Sequence, residues 1–364
     1  MKMMKVGLIG VGGRGHNGWQ MHKPEEGWEI IAGADPKASA REEFQKKFPQ
    51  ASVFDNYVDL LKIKEIDAVM IASPDYCHEE QAVAALKAGK ALFLEKPMAI
   101  TIEGCDRILK MKEIIDSGVI GEIQCGWCRH FISYGGDAYF RDWHSEQKNT
   151  TGLLLQKGAH DIDVMHWLMG AKTKRVVGMG MLSVYDKCAR RPADTEGNAS
   201  WHEDHYPPLE QTGFSPVINV EDHNMVMMQL DNGAQACYMQ CHYAPDAERN
   251  YTFIGTKGRI ENIGDHDDCE IHVWTTRGPR ETPDIIYKLK AVKGGHGGAD
   301  PRTVQSFLDF VRDGKRPNTI PTAARDAVAA GVLGHYSMRH GNVPQEIPPL
   351  DPELIRYFEN NQQK

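Results

Sequence analysis

A glycine-rich run near the start of the chain has the residue types and spacing that hold a phosphate group. The run Gly10-Val11-Gly12-Gly13-Arg14-Gly15 directly follows the apolar stretch from Val6 to Ile9, which is typical of a buried strand. Glycines there permit a tight turn, let backbone amides approach a pyrophosphate and allow the following helix to pack closely. Asp35 ends the next apolar stretch, 20 residues after Gly15, where a carboxylate accepts hydrogen bonds from ribose hydroxyls. We therefore predict a dinucleotide site that comprises Gly10, Gly12, Gly13, Arg14, Gly15 and Asp35.

The type of dinucleotide follows from the charge of Asp35. A carboxylate at this position repels the 2′-phosphate of NADP, so the sequence favours NAD as the cofactor. Lys37 and Arg41 are close enough in sequence to offset part of that repulsion. The alternative interpretation, a glycine-rich turn without function, does not account for the spacing to Asp35.

Two further polar segments follow strands of the same predicted sheet. The segment Ser73-Pro74-Asp75-Tyr76-Cys77-His78 follows the third predicted strand, Ala68 to Ala72. The triplet Glu95-Lys96-Pro97 follows the fourth, Ala91 to Leu94. Since the carboxyl ends of parallel strands share one edge of a sheet, both segments are expected where ligands bind in this architecture. A lysine there could polarise a hydroxyl group or share in its deprotonation. The triplet alone is equally consistent with a surface lysine in a turn.

The order of these motifs, completed by Lys157-Gly158-Ala159-His160-Asp161-Ile162-Asp163, resembles the Gfo/Idh/MocA oxidoreductases over almost the whole chain. The resemblance implies catalytic roles for Lys96 and His160, with Ser73, Pro74, His78, Glu95 and Lys96 beside the cofactor. It also implies an NAD(P)-dependent dehydrogenase that acts on sugars, polyols and their derivatives. Gln156, Lys157, Asp163, Trp143 and His144 are the expected substrate contacts.

The helix predicted over Leu154 to Met169 has two different faces. At about 100° per residue, His160, Asp163 and Trp167 share one face, whereas Ile162, Met165 and Met169 share the opposite face. This pattern places the helix between an apolar core and a polar cleft. A structural histidine held by hydrogen bonds is the alternative for His160, and it is the preferred interpretation of His166, which lies off this face.

The sequence departs from the family pattern at two places. Many members have an aspartate four residues before the catalytic histidine, but this chain has Gln156, which can bond a hydroxyl without taking its proton. The segment between Pro97 and Gly121 has room for one helix, where the family has a further strand as well. We therefore expect His160 to be the proton acceptor. Either the nucleotide sheet is one strand short or another segment replaces the strand.

The order of predicted elements indicates two domains. Residues 1–120 alternate strands with helices, as in an α/β Rossmann-type parallel sheet, and the helices are predicted over Ala38 to Lys47, His78 to Lys87 and Ile102 to Asp116. Residues 121–364 form an α+β domain with an open, mainly antiparallel sheet, in which Asp231-Asn232-Gly233 is the predicted turn of a hairpin. A helix near the C-terminus is a candidate to pack back on the first domain. Since one face of the open sheet lacks helices to cover it, we expect self-association into a homo-oligomer.

The composition excludes several classes of protein. The chain has 364 residues, 42 basic and 50 acidic side chains and a formal net charge of -8, so its charge predicts no binding to nucleic acid or to an anionic membrane. No stretch approaches the roughly 20 apolar residues that span a bilayer. The 8 cysteines are too scattered for a secreted disulfide scaffold. We therefore expect a cytoplasmic protein.

Two other motifs are not assigned to the site, and the roles of a third group of residues stay open. Cys125-Gly126-Trp127-Cys128 has the spacing of a redox motif but falls inside a predicted strand. His202-Glu203-Asp204-His205 lies in a turn-rich loop without a third ligand, so we predict no metal site. Glu221-Asp222-His223, His242 and His296 are equally consistent with structural roles and substrate contacts.

The leading hypothesis is an NAD-dependent dehydrogenase that transfers a hydride from a secondary alcohol of a sugar, glycoside or cyclitol. One alternative is an NAD-dependent glycosidase that oxidises its substrate transiently. The other is a sugar or dinucleotide sensor without catalysis, which the missing strand makes more plausible.

The catalytic role of Lys96 can be tested by substitution. Lys96→Met removes the ammonium group and keeps most of the aliphatic stem, so NAD binding should stay nearly intact while turnover falls about 10²-fold or more. Fluorescence titration with NADH and steady-state kinetics measure the two quantities. Turnover at the normal rate would show that Lys96 is not catalytic.

Overall fold

The structure is a computed structural model that describes residues 2–95, 111, 114–195, 206–265, 269–289, 299–317 and 320–362. The chain forms two compact units, Met1–Pro97 with Gly298–Asn318, and Met98–Gly297 with Thr319–Lys364. The boundary near residue 120 stays a prediction. Within the described ranges, no helix is long and apolar enough to cross a membrane.

The strands of the described residues are β1 (Met4–Ile9), β2 (Trp28–Ala34), β3 (Ser52–Phe54), β4 (Ala68–Ile71), β5 (Ala91–Leu94), β6 (Ile123–Phe131), β7 (Thr173–Met181), β8 (His223–Leu230), β9 (Gln235–Cys241), β10 (Glu248–Gly255), β11 (Arg259–Ile263), β12 (Glu270–Trp274), β13 (Ile285–Lys288) and β14 (Gln345–Glu346).

The α-helices of the same residues are α1 (Ala38–Lys47), α2 (Tyr57–Leu61), α3 (His78–Lys87), α4 (Gly135–Tyr139), α5 (Gln147–Thr150), α6 (Ala159–Met169), α7 (Ala299–Asp313), α8 (Pro321–Arg339) and α9 (Pro352–Glu359). A 3-10 helix, Gly13–Met21, begins within the glycine run, and a π-helix, Leu154–Gly158, directly precedes α6.

The first unit contains a parallel sheet with the strand order β3-β2-β1-β4-β5. The predicted Rossmann-type sheet is therefore confirmed. The described residues add no sixth strand after Leu94, and the next strand, β6, belongs to the other sheet. The edge strand β3 was not predicted, because its three residues include the exposed Ser52 and form no apolar run. Most of the predicted helix over Ile102 to Asp116 lies outside the described residues.

Helices cover both faces of this sheet. On one face α7 contributes Val304, Phe307 and Leu308 to a core that also contains Leu8 and Trp28. On the other face lies a second core, which includes Ile9, Ala32, Ala34, Leu60, Val69, Ile71 and Ala85. Although α7 lies late in the chain, it is therefore part of the nucleotide unit.

The second unit contains a sheet with the strand order β13-β12-β11-β10-β6-β9-β8-β7-β14. Strands β6 and β9 are parallel, and the other neighbouring pairs are antiparallel. The predicted open, mainly antiparallel sheet is confirmed. The hairpin predicted around Asp231-Asn232-Gly233 joins β8 to β9, and Gly233 has φ +91°, a value that favours glycine.

Helices α6 and α8 pack on the inner face of this sheet. Ile162, Met165 and Met169 of α6 are buried in its core, as the helical spacing predicted. A Cβ atom on Gly178 of β7 would lie 2.3 Å from the carbonyl oxygen of Gly334, so only glycine permits this approach of α8. The inner face is thereby covered by α8 at this approach and by α6, the helix that carries His160.

The outer face of the same sheet carries a row of methionines on β7 and β8. Met179, Met181, Met225 and Met227 are 61%, 59%, 47% and 68% exposed. In the strand register Met179 lies opposite Met225, so the side chains form one contiguous apolar patch. We call these four residues the methionine patch.

Candidate active site

The glycine run of the first unit requires its glycines on geometric grounds. Gly10 has φ +79°, and a Cβ atom there would lie 2.8 Å from the backbone nitrogen of Ser73. A Cβ on Gly15 would lie 1.9 Å from the carbonyl oxygen of Gly10. Gly13 has φ +51°, and a Cβ atom there would meet nothing within 4 Å. The loop is therefore turned tightly on itself and leaves open space at Gly13, which fits the predicted dinucleotide.

Asp35 lies at the end of β2 with its carboxylate turned towards this loop. Its Oδ2 accepts hydrogen bonds from the backbone amides of Val11 at 3.0 Å and Gly12 at 3.3 Å. Its Oδ1 accepts from the Lys37 amide at 2.9 Å. Since two carboxylate oxygens have about four acceptor positions, these bonds orient the group and leave capacity for a ligand hydroxyl.

The residues of the two later motifs are tied to the same edge of the sheet. Arg14 donates from Nε to Oε1 of Glu95 at 3.1 Å, which joins the glycine run to the Glu-Lys-Pro triplet. His78 Nε2 and the Ser73 carbonyl oxygen are 2.7 Å apart, so the histidine secures the loop that begins at Ser73 and Pro74. Lys96 lies outside the described residues.

The second unit places the other candidate residues on the π-helix and on α6. Gln156 and Lys157 belong to the π-helix, and His160 lies in the first turn of α6, where it is half-buried. The Gln156 Oε1 atom is buried and has no hydrogen-bond partner among the described residues. It can accept a hydrogen bond from a hydroxyl group of a ligand. Short π-helices inside longer helices occur frequently at functional sites.

A group of aromatic and charged side chains surrounds Tyr139 of α4. The Lys157 ammonium lies 5.1 Å from the centre of the Tyr139 ring, and the His144 ring lies 5.3 Å from it. His144 stacks on Trp143 at 3.7 Å, and its Nδ1 is 2.6 Å from Oδ1 of Asp142. The structure thus brings Lys157, Trp143 and His144 together. The supporting Asp142 was missed because it carries no motif of its own.

Asp161 is the most important residue that sequence reasoning missed. It is buried, and its two oxygens are contacted by His130 Nδ1 at 2.9 Å, the Tyr238 hydroxyl at 3.1 Å, the Tyr251 hydroxyl at 2.5 Å and Arg249 Nε at 2.9 Å. We call these five residues the Asp161 anchor. The sequence did contain a signal for it, since Asp161 is an aspartate on the apolar side of the helix that carries His160.

The charges of the Asp161 anchor compensate one another. Burial alone would raise the pKa of Asp161, but Arg249 and His130 outweigh it and hold that pKa below its ordinary value. Burial and the charge of Arg249 lower the pKa of His130 to about 4. At neutral pH the anchor therefore contains one carboxylate, one guanidinium and a neutral imidazole.

His166 and Glu221 each have a polar partner within the second unit. His166 accepts at Nε2 from the Thr173 amide at 3.1 Å, which confirms its structural role. Cys125 and Cys128 lie within β6, as predicted. Glu221 pairs with Arg339 at 2.7 Å. In the described part of the chain no cluster of His, Cys, Asp or Glu could hold a metal ion, and His202 to His205 and His296 lie outside it.

The ionisation of Asp163, a predicted substrate residue, is strongly disturbed by burial. Burial raises its pKa to about 6, and no described residue forms a hydrogen bond with its carboxylate. The raised pKa means that the folded protein loses stability as the pH rises from about 4 through 6, because the buried group ionises.

Asp163→Asn should therefore unfold a few degrees higher than the wild type at pH 8. The difference should vanish towards pH 4, and thermal unfolding at both pH values measures it; an equal difference at both would contradict the prediction.

The sequence as a whole matches two family models. The oxidoreductase family with an NAD-binding Rossmann fold, GFO_IDH_MocA, matches residues 4–114. The C-terminal alpha/beta domain of the same oxidoreductase family matches residues 112–347. The predicted family and its nicotinamide dinucleotide domain are therefore confirmed.

Individual relatives agree with these matches. YteT of Bacillus subtilis (strain 168) is 25% identical over 378 residues, which cover 85% of this chain and 86% of the relative. Inositol 2-dehydrogenase of Salmonella typhimurium (strain LT2) is 28% identical over 199 residues, 48% of this chain and 56% of that enzyme. The structure of levoglucosan dehydrogenase in complex with NADH shares the fold, with a TM-score of 0.70 and 17% identity over 95% of this chain and all (100%) of that one. The chain belongs to the Gfo/Idh/MocA family of oxidoreductases.

Proposed function

We propose that the protein is an NAD-dependent dehydrogenase that oxidises a secondary alcohol of a sugar, glycoside or cyclitol. The observation that carries the proposal is the helical segment with Gln156, Lys157 and His160, which offers a hydrogen-bond acceptor, a cation and an imidazole within five residues. Relatives named inositol 2-dehydrogenase and a structural neighbour named levoglucosan dehydrogenase act on polyhydroxylated rings, which supports this substrate class.

The residues of this chain divide the work of the reaction between them. The carbinol carbon loses a hydride and its hydroxyl group loses a proton, which leaves a ketone; NAD, when bound, supplies the hydride acceptor. His160 takes the proton, and Lys96 polarises the same hydroxyl. Gln156 accepts a hydrogen bond from a neighbouring hydroxyl, while Lys157, Asp163, Trp143 and His144 complete the substrate contacts.

The assignment of proton transfer to His160 rests on the residue type at position 156, which is glutamine. A glutamine amide cannot accept the proton of an alcohol at neutral pH, whereas an imidazole titrates near it. The buried Oε1 of Gln156 still distinguishes a hydroxylated ring from an apolar one, because leaving that acceptor without a partner costs free energy.

The dinucleotide would be held by the first unit. The glycine run turns tightly and leaves space at Gly13, Arg14 and Glu95 are joined to each other, and His78 secures the loop at Ser73 and Pro74. Gly10, Gly12 and Gly15 allow the backbone of the turn to approach the pyrophosphate.

A panel assay tests the proposed activity. The protein is incubated with NAD and a set of cyclitols, sugars and glycosides while the absorbance of NADH and the carbohydrate products are followed together. We expect NADH and a keto product in equal amounts from at least one compound. Cleavage of a glycoside without net NADH would favour a glycosidase, and NAD binding without any turnover would favour a sensor.

The preference for NAD rests on the charge of Asp35. The carboxylate is fixed by the loop amides, and Arg41, which could have neutralised it, donates instead to the backbone carbonyls of Asp35 at 2.7 Å and Pro36 at 2.8 Å. The negative charge therefore stays beside the site for the adenosine ribose and disfavours a 2′-phosphate.

We expect a lower dissociation constant for NADH than for NADPH in fluorescence titration. Asp35→Asn keeps the size and an acceptor oxygen but removes the charge. It should therefore narrow the difference between the dissociation constants of NADH and NADPH. Lys62→Gln, a change of an exposed charge in the same unit, is the control and should leave the difference unchanged. Tighter binding of NADPH by the wild type would contradict the prediction.

Self-association is proposed to occur through the methionine patch. Its four exposed methionines form an apolar surface that is unusual for a monomer and that a second copy of the chain would bury by two-fold symmetry. Methionine side chains adapt their shape and are common at such contacts.

A charge within the patch should dissociate the assembly. Met227→Lys places an ammonium group in the centre of the proposed contact, so light scattering should report a smaller mass than for the wild type. Val58→Lys changes an equally apolar, 49% exposed residue of the first unit and should leave the mass unchanged. A monomeric wild type, or an unchanged mass for Met227→Lys, would contradict this contact.

A further inference from the structure

Tyr238 contacts the chain on both sides of His160. A Cβ atom on Gly158 would lie 2.8 Å from Cε1 of Tyr238, so the ring packs directly on the backbone two residues before the histidine. The hydroxyl of the same side chain bonds Oδ2 of Asp161, the residue after it, at 3.1 Å. One rigid side chain of β9 thus fixes the short segment that presents His160.

The charges beneath this segment favour one rotation of α6. Asp161 and Arg249 form a buried ion pair, and such a pair adds little net stability because removing both charges from water offsets their attraction. Its larger effect is to favour one rotation of α6 over the others. A rotation of the helix by one residue, about 100°, would place His160 or Ile162 opposite Arg249 and leave a buried charge without its counter-charge.

Because Leu154–Gly158 is a π-helix, this turn has a second available conformation, an α-helical turn with a different rotation. A π-turn contains one more residue than an α-turn, so conversion of Leu154–Gly158 to α-helix would turn Gln156 and Lys157 by about 100° relative to His160. The π-conformation is the rarer and less stable one, so contacts elsewhere must select it. The contacts at Gly158 and Asp161 lie where the π-helix meets α6.

We infer that the Asp161 anchor sets the orientation of His160 relative to Gln156 and Lys157. Asp161, Tyr238 and Tyr251 are positioning residues, which act through His160 and do not touch the substrate. The inference rests on the proposed function, in which His160 receives the proton of the alcohol. A misplacement of about 1 Å at such a group costs up to about 10²-fold in rate, so the anchor affects turnover more than binding.

Two conservative variants separate positioning from folding. Tyr238→Phe and Tyr251→Phe each remove one hydroxyl from Asp161 and keep the buried ring. They are preferable to Asp161→Asn, which would leave Arg249 buried without a full counter-charge. Thr252→Val is the matched control, because this buried neighbour of Tyr251 points to the opposite face of the sheet and its hydroxyl has no partner among the described residues.

Hydrogen exchange and kinetics are measured on the same full-length variants. We expect amides of residues 154–160 to exchange about tenfold faster in both Tyr→Phe variants, because the anchored segment opens more often. We expect kcat to fall about tenfold, while KM for the substrate from the panel and the dissociation constant of NADH change less than about twofold. Thr252→Val should resemble the wild type in all four quantities.

Three results would overturn the inference. Unchanged exchange over residues 154–160 would show that the hydroxyls do not hold the segment. Faster exchange with unchanged kcat would show that the held segment does not position His160. A fall in kcat together with an equally large rise in KM and in the dissociation constant of NADH would indicate general damage to the fold. If the wild type oxidises no compound of the panel, the proposed function has failed, and hydrogen exchange alone still decides whether the anchor holds the segment.

Discussion

The placement of α6 on the sheet of the second unit depends on one buried carboxylate. Asp161 receives contacts from His130 on β6, from Tyr238 on β9 and from Arg249 and Tyr251 on β10, so a single side chain of α6 is joined to three strands. Because a buried charge without partners is far more costly than a lost apolar contact, these contacts permit one placement of the helix on the sheet. His160, one residue away, inherits that placement.

The nucleotide unit is organised by a different constraint, the close approach of backbone to backbone. Gly10 and Gly15 touch neighbouring main-chain atoms where any side chain would collide, and the carboxylate of Asp35 closes the turn from the next strand. The candidate site of the first unit is therefore shaped by its backbone, whereas that of the second unit is formed by side chains. This division suits a reaction in which one ligand carries phosphates and the other carries hydroxyl groups.

Local patterns predicted much of the fold. The bounds of α1 and α3 agree with the sequence prediction, and the hairpin at Gly233 follows from its turn residues, because both depend on neighbours in sequence. The strands β3, β13 and β14 were missed, since they have two to four residues and pair at or near sheet edges, where no regular alternation is required. The π-helix was predicted as ordinary helix, because its residues have the same apolar spacing.

The sequence by itself determined the family, the glycine turn with Asp35, and the helix with His160 on its polar side, because each is written in the spacing of nearby residues. Only the tertiary structure decided which polar groups are paired. Asp161 meets Tyr251 across 90 residues of chain and Tyr238 across 77, and no local pattern specifies such partners. They are selected by the need to satisfy every buried charge at once, which is a property of the folded molecule and not of any segment.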